Sequence, residues 1–102
     1  MIAEFSIVPL GEGPSVGDYI AEVISIVEES GLPYRLNPMG TCVEGSWNDI
    51  MKLLRRCHRQ MMKRADRVII NIKIDDRKDK ELTMEGKVKS VERRLGRKIK
   101  KG

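Results

Sequence analysis

The sequence predicts an α+β fold in which two helices cover one face of a four-stranded antiparallel sheet. Three observations favour this architecture. Four segments have the alternating or β-branched composition of strands, and the segments between them carry apolar residues at helical spacing. The resulting order along the chain is β-α-β-β-α-β, which matches the ferredoxin-like split βαβ pattern. A further helical pattern, from Thr83 to about Leu95, predicts an added C-terminal helix.

The first strand and the first helix are indicated by a change in the spacing of apolar residues. In residues 2–8 the side chains alternate between two faces, as in a half-buried strand. Ser15 and Asp18 then form an S-x-x-D capping arrangement, which predicts a helix that begins at Ser15. Gly31 ends this helix and Pro33 prevents its continuation. Its predicted apolar stripe consists of Val16, Ile20, Val23, Ile24 and Val27.

The middle of the chain predicts a β-hairpin followed by the second helix. Strands at 34–37 and 41–44 flank the tight turn Pro38-Met39-Gly40. Ser46 opens the helix in a second S-x-x-D arrangement, and the helical pattern runs to about Arg64. Its predicted inner stripe consists of Trp47, Ile50, Met51, Leu54, Cys57, His58 and Met61. Its outer face is almost continuously basic and carries Lys52, Arg55, Arg56, Arg59 and Lys63.

The last strand, at 67–74, alternates strictly and helps to define the second face of the sheet. Its isoleucines at 70, 72 and 74 point to one side together with Val68. The face without helices is expected to be half polar, and it would carry Glu4, Ser6, Val8, Ile69, Asn71 and Lys73. A half-apolar open face usually meets another subunit or a ligand, and we expect both here.

The totals favour one globular domain, covering residues 1–102, with residues 97–102 as a basic tail. Hydrophobic residues make up 40% of the chain and charged residues 34%, which excludes a disordered class. No apolar run approaches the roughly 18 residues of a membrane helix, and the first residues lack the features of a signal peptide. A cytoplasmic location is therefore expected, and a membrane partner is not.

The net charge of +5 conceals a strong asymmetry between the two halves of the chain. Residues 1–51 contain eight acids and one base, a net charge of −7, and residues 52–102 contain 19 bases and seven acids, a net charge of +12. Such a split can reflect nucleic-acid binding, self-association or simply solvated surfaces. Nucleic acid is not an expected partner, because the strands lack the exposed aromatic residues that stack on bases.

The sequence contains no recognisable catalytic or metal-binding group. Ser15 is explained by helix capping, and His58 is predicted to be structural or interfacial. Cys42 and Cys57 form no motif and are predicted to be reduced, structural thiols. The acids at 75–79 are interleaved with basic residues that would repel a divalent ion. We therefore predict a protein that is not an enzyme, with no catalytic residue, no metal and no cofactor.

Residues 36–47 (LNPMGTCVEGSW) form the most distinctive stretch of the sequence. The hydroxyl of Thr41, the carboxylate of Glu44 and the ring of Trp47 lie within seven residues. Such groups can orient a small polar heteroaromatic ligand. The alternative is a well-made hairpin with a surface acid and a packed tryptophan, and the residues alone leave both interpretations open.

The motif Pro38-Met39-Gly40-Thr41, followed by Glu44-Gly45-x-Trp47, resembles the small thiamine-binding proteins related to YkoF, formerly an uncharacterised protein family. The likeness covers nearly the whole chain, and residues 30–47 are its most specific part. The resemblance implies a ferredoxin-like subunit and a homotetramer built as a dimer of dimers. It also implies binding of thiamine or its hydroxymethylpyrimidine moiety, with no known catalysis.

This resemblance suggests which side chains contact the ligand. An aminopyrimidine needs acceptors for its amino group and a flat apolar contact, and the thiazolium cation of thiamine favours a nearby carboxylate. The expected polar contacts are Ser15, Thr41, Glu44 and Asn71. The expected flat surfaces are Tyr19, Tyr34 and Trp47. Among these residues, Thr41, Glu44 and Trp47 lie in the matching motif.

An anionic ligand is the alternative that the charges leave open. Arg59 follows His58 at a position where the family commonly has an acid, and the second helix is basic. The alternative function is a regulatory oligomer that binds a phosphorylated small-molecule effector between its subunits.

Overall fold

A computed structural model describes residues 1–11 and 17–100 of the chain. The elements are β1 (Ile2–Pro9), α1 (Gly17–Ser30), β2 (Tyr34–Asn37), β3 (Gly40–Glu44), α2 (Trp47–Met62), β4 (Val68–Asp75) and α3 (Met84–Leu95). The predicted order is therefore confirmed, and each boundary lies within about two residues of its expected position. The capping role predicted for Ser15 falls outside the described residues.

The four strands form one antiparallel sheet in the order β2-β3-β1-β4, which confirms the ferredoxin-like α+β fold. Directly paired residues of antiparallel strands point to the same face of the sheet. Phe5 is paired with Thr41 and Ile72, and this face carries the helices. Glu4 is paired with Cys42 and Lys73 on the opposite face, which we call the open face. The predicted open-face set is confirmed by these pairs and by Ser6–Asn71 and Val8–Ile69.

The core lies between β1, β3, α1 and α2. Every second residue of β1 is buried there, because the side chains of a strand alternate between faces. The buried apolar residues are Ala3, Phe5, Ile7, Tyr19, Val23, Val27, Val43, Ile50, Leu53, Leu54, Cys57 and Met61. The stripe predicted for α2 is wrong at Trp47 and His58, which are exposed, and it omitted Leu53, which is buried. Trp47 is the first residue of α2 and precedes Ile50, the first residue of this helix that is buried.

Two ion pairs link the acidic surface of α1 to the basic outer face of α2 and to the residues that follow this helix. Arg56 Nη2 lies 2.5 Å from Glu29 Oε2, and Arg64 Nη1 lies 2.7 Å from Glu22 Oε2. Lys52 and Arg55, on the same helix, are exposed and form no ion pair with the described residues. Within one subunit, these ion pairs therefore neutralise only part of the opposite charges on the two helices.

The helix α3 extends away from the body of the protein, and none of its residues is buried. Its beginning is held by polar contacts at one end of the sheet. Glu44 Oε1 accepts a hydrogen bond of 2.6 Å from the amide of Met84, and Lys87 is paired with Asp75. The hydrogen bond from Lys87 holds the pKa of the Asp75 carboxyl below its usual value. The apolar residues Val91 and Leu95 are left exposed on this helix.

The two described helix starts that the sequence predicted are capped as expected. Ser46 Oγ accepts a hydrogen bond of 3.1 Å from the amide of Asp49, and Thr83 Oγ1 accepts one of 2.9 Å from Gly86. Gly31, with φ +74°, follows α1 in the left-handed conformation that a glycine adopts without strain.

Replacement of the α2 cap tests this assignment. Ser46→Ala should lower the free energy of unfolding by about 1 kcal/mol, because the amide of Asp49 loses its acceptor. Urea denaturation followed by circular dichroism measures the change. Ser25→Ala, at an exposed position inside α1, is the control and should leave stability unchanged or slightly raised. Equal behaviour of the two variants would contradict the capping role.

Candidate ligand site between the first helix and the hairpin

A groove of about 350 Å³ lies between α1 and the turn that joins β2 and β3. Its floor is the helix-covered side of β1, its first wall is α1, and its second wall is the hairpin. The lining residues are Phe5–Val8 of β1, Tyr19, Ile20, Val23 and Ile24 of α1, and Leu36–Thr41 of the hairpin. The lining is mainly apolar, with a few hydroxyl and amide groups, which is the usual composition of a small-molecule site.

Thr41 and Tyr19 form the inner part of this groove. Thr41 is 5% exposed and is the buried polar residue among those that the structure describes. It faces the helices because it is paired with Phe5, whose ring belongs to the core. Tyr19 is 6% exposed and reaches the groove from the first turns of α1. The groove therefore offers a hydroxyl and an aromatic ring close to its floor.

The rim of the groove is apolar and strongly exposed at the hairpin. Leu36 is 50% exposed and Met39, at the tip of the turn, is 90% exposed. Methionine is unbranched and polarizable, so it adapts its shape to a neighbouring surface. An apolar side chain in this position is suited to closing over a flat ligand or to meeting a second molecule.

Gly40 allows the hairpin to approach β1 closely. A Cβ atom at this position would lie 3.2 Å from the backbone oxygen of Phe5 and 3.4 Å from Cγ of Glu4. The contact with a backbone atom of the central strand cannot be relieved by a side-chain rotation. The glycine of the Pro38-Met39-Gly40-Thr41 motif is thus explained by space, and its backbone does not have a positive φ.

A short polar chain runs across the open face beside the hairpin. Asn37 Nδ2 donates to Cys42 Sγ at 3.3 Å, and Cys42 Sγ donates to Glu4 Oε2 at 3.6 Å. Burial raises the pKa of the Cys42 thiol, and the carboxylate of Glu4 raises it further. Burial also raises the pKa of Cys57 to about 11. Both free thiols stay protonated at neutral pH, so neither environment activates a nucleophile.

The remaining sequence-predicted site residues lie elsewhere in the subunit. Glu44 points to the open face, because it is three residues beyond Thr41, and it contacts the beginning of α3. Asn71 is on the open face opposite Ser6, and Tyr34 faces the helices on the edge strand β2. Trp47 is 56% exposed at the start of α2. Ser15 lies outside the described residues.

Within one subunit the structure thus brings Tyr19 and Thr41 together and leaves the other described candidates apart. Sequence reasoning missed Asn37, Leu36 and Met39 as groove residues. Their place beside Pro38 in the turn was available from the sequence. Their part in a groove was not, because the sequence of a hairpin does not show which of its sides faces a helix.

The described residues give no indication of a metal centre or a membrane helix. No group of three or more His, Cys, Asp or Glu side chains in residues 1–11 and 17–100 is arranged to hold a metal ion. Within the same residues, no helix combines the length and apolar character that a membrane crossing requires.

A comparison with protein families decides the classification. The family model described as thiamine-binding protein matches residues 3–92, which is most of the chain. The chain belongs to the thiamine-binding protein family. The resemblance seen in the sequence is therefore confirmed at the level of the family, and the groove can be compared with that of other members.

Relatives in this family are similar over almost their full lengths. The UPF0045 protein MJ1052 of Methanocaldococcus jannaschii is 41% identical over 91 residues, which are 89% of this chain and 91% of that protein. The UPF0045 protein YqgV of Bacillus subtilis is 41% identical over 100 residues, which are 92% and 96% of the two chains.

Two solved structures share the fold of this chain. The crystal structure of MJ1052 has a TM-score of 0.83 and covers 88% of this chain and 93% of that one, at 41% identity. A protein from Thermotoga maritima, described provisionally as a thiamine biosynthesis/salvage protein, has a TM-score of 0.78 at 26% identity. It covers 88% of this chain and 96% of that protein.

Substitution of the motif glycine tests the packing of the hairpin. Gly40→Ala should lower the free energy of unfolding by about 1 kcal/mol, because its Cβ would press on the backbone of Phe5. Urea denaturation measures the change. Gly17→Ala is the matched control, since no atom lies within 4 Å of its added Cβ and alanine favours helices. A loss of stability in the control alone would contradict this explanation.

Thiol reactivity tests the environments of the two cysteines. Both should react with iodoacetamide at pH 8 more slowly in the folded protein than in urea, because a raised pKa leaves less thiolate. Cys57 should be the slower of the two, since it is also buried. Mass spectrometry of the labelled protein measures both rates, and Cys42→Ser isolates Cys57. Labelling of Cys42 that is faster in the folded protein than in urea would contradict the assigned environment.

Proposed function

We propose that this protein binds thiamine or its hydroxymethylpyrimidine moiety in the groove between α1 and the hairpin, and that it does so without catalysing a reaction. The observation that carries the proposal is the position of the family motif. Pro38–Thr41 forms one wall of a groove whose inner part contains Thr41 and Tyr19. Membership of the thiamine-binding protein family supplies the class of ligand.

The groove fits the pyrimidine half of such a ligand in size and chemistry. Its volume of about 350 Å³ is at the small end of the range for ligand sites, roughly 300 to 1,000 Å³. The ring of Tyr19 and the aliphatic side chains of Ile20 and Leu36 offer apolar contact to a flat ring. The Thr41 hydroxyl provides a hydrogen-bonding group for an aminopyrimidine.

The cationic thiazolium half of thiamine favours a nearby carboxylate, and none of the described residues that line the groove carries one. Glu4 is a candidate among the described residues, since its Cγ lies close to Gly40 on the open face. Glu44, Trp47, Tyr34 and Asn71 remain predicted contacts that a second subunit would have to bring to the ligand. Ser15 remains a predicted contact that precedes α1.

We propose on this basis a homotetramer arranged as a dimer of dimers, which acts in the cytoplasm. The support within the subunit is its uncovered apolar surface, because Val8 and Ile69 are exposed on the open face, and Val91 and Leu95 are exposed on α3. The acidic first half and basic second half of the chain also favour contacts between copies.

Several features favour binding over catalysis. Cys42, the cysteine of the hairpin, is kept protonated by burial and by Glu4. His58 is exposed on α2 and does not line the groove. The described side chains that do line it can position a ligand, and they include no acid–base pair.

Calorimetric titration with thiamine and with hydroxymethylpyrimidine tests the proposed site. Thr41→Val keeps the shape of the side chain and removes the hydroxyl, so affinity should fall about tenfold if the ligand loses a buried hydrogen bond. Ser25→Ala, on the exposed side of α1, is the matched control and should bind as the unchanged protein does.

The outcome that would contradict the proposal is the absence of heat and of a thermal shift with either ligand at millimolar concentration. Light scattering of the same samples gives the assembly state. A mass of four times the 11.6 kDa subunit supports the tetramer, and a monomer would remove the subunit-bridging part of the proposal.

A further inference from the structure

A second cleft lies between residues 75–83 and α3, outside the proposed thiamine groove. Its volume is about 560 Å³. Asp75, at its edge, is paired with Ile2 at the beginning of β1, whereas the groove begins at Phe5 and extends toward the other end of that strand. The two cavities share no residue, so each can be occupied independently.

The cleft is strongly basic. Two acidic residues line it, Asp75 and Glu81, against six basic ones. The basic residues are Arg77, Lys80, Lys87, Lys89, Arg93 and Arg94. They come from two separate segments of chain, so their charges converge on the space between the loop and the helix.

Three of these cations form no ion pair with the described residues. Arg77 is paired with Asp79, Lys87 with Asp75 and Lys89 with Glu85. Lys80, from the loop, and Arg93 and Arg94, from α3, have no such partner, although Arg94 is hydrogen-bonded to Ser90. The existing pairs are exposed to solvent and are therefore easily exchanged for contacts with another anion.

Two small residues of α3 are among those that line this cleft. Gly86 and Ser90 lie one turn apart on the lining face of α3, and the Ser90 hydroxyl already contacts the guanidinium of Arg94. A ligand can therefore approach the helix backbone between flanking cations. Several cations around one cavity suit an anion with several charges better than a single carboxylate.

We propose that this cleft binds the di- or triphosphate group of a phosphorylated small molecule. Guanidinium and ammonium groups are the usual protein partners of phosphate oxygens. None of the described residues that line the cleft is aromatic, so this lining lacks the stacking surface that single-stranded nucleic acid uses. The cations surround a cavity formed by two segments, whereas the flat basic face of α2 would be the better surface for an extended polyanion.

Calorimetric titration of the full-length protein with sodium tripolyphosphate tests this proposal. The double variant Lys80→Ala/Arg93→Ala removes two of the three cations that form no ion pair with the described residues, both on the surface, and should bind at least about tenfold more weakly. The variant Lys52→Ala/Arg55→Ala removes the same charge from the exposed face of α2 and should keep its affinity within about twofold. Circular dichroism verifies that both variants are folded.

Four outcomes would overturn the proposal. The first is that the unchanged protein does not bind tripolyphosphate at millimolar concentration in low salt, and the second is that both double variants weaken binding equally. The third is tighter binding of a single-stranded oligonucleotide that depends on Lys80 and Arg93. The fourth is a change of assembly state in the cleft variant when no binding of tripolyphosphate is seen. Thiamine titration of the cleft variant separates the two sites. If the cleft variant still binds thiamine but no longer binds tripolyphosphate, the cleft is supported as a phosphate site. This conclusion does not depend on the result for the groove variant Thr41→Val.

Discussion

The pairing register of β1 with its two neighbours is the constraint on which the rest of the structure depends. β1 lies between β3 and β4, so its side chains decide which residues of both partners face the helices. Phe5 fixes Thr41 and Ile72 on the covered side, and Glu4 fixes Cys42 and Lys73 on the open side. A slip of one residue would exchange the faces and place Glu4 in the apolar core, which carries a large desolvation cost.

The same register separates functions that are adjacent in the sequence. Thr41 and Glu44 are three residues apart, and the alternation of the strand sends the first to the groove and the second to the base of α3. The distinctive stretch at 36–47 therefore serves two ends of the subunit. Its first half shapes a cavity against α1, and its second half anchors the C-terminal helix and begins α2.

Much of the fold was predictable because it depends on local signals. Short stretches of sequence determine the helix caps at Ser46 and Thr83 and the end of α1 at Gly31. They also determine the alternation of side chains in β1 and β4. The site was only partly predictable, since Tyr19 and Thr41 meet through the packing of a helix on a hairpin. The exposure of Trp47 was not predicted, because helical spacing indicates which face of a helix is apolar but not which of its turns packs against the sheet.

The attachment of α3 has a consequence for how this family can diverge. The helix is joined to the sheet through carboxylates at Glu44 and Asp75 and contributes nothing to the buried interior. Its direction is set by surface chemistry, so replacements of a few charged residues can reorient it while the core stays intact. Evolution can thus change where this helix points faster than it changes the fold that carries it.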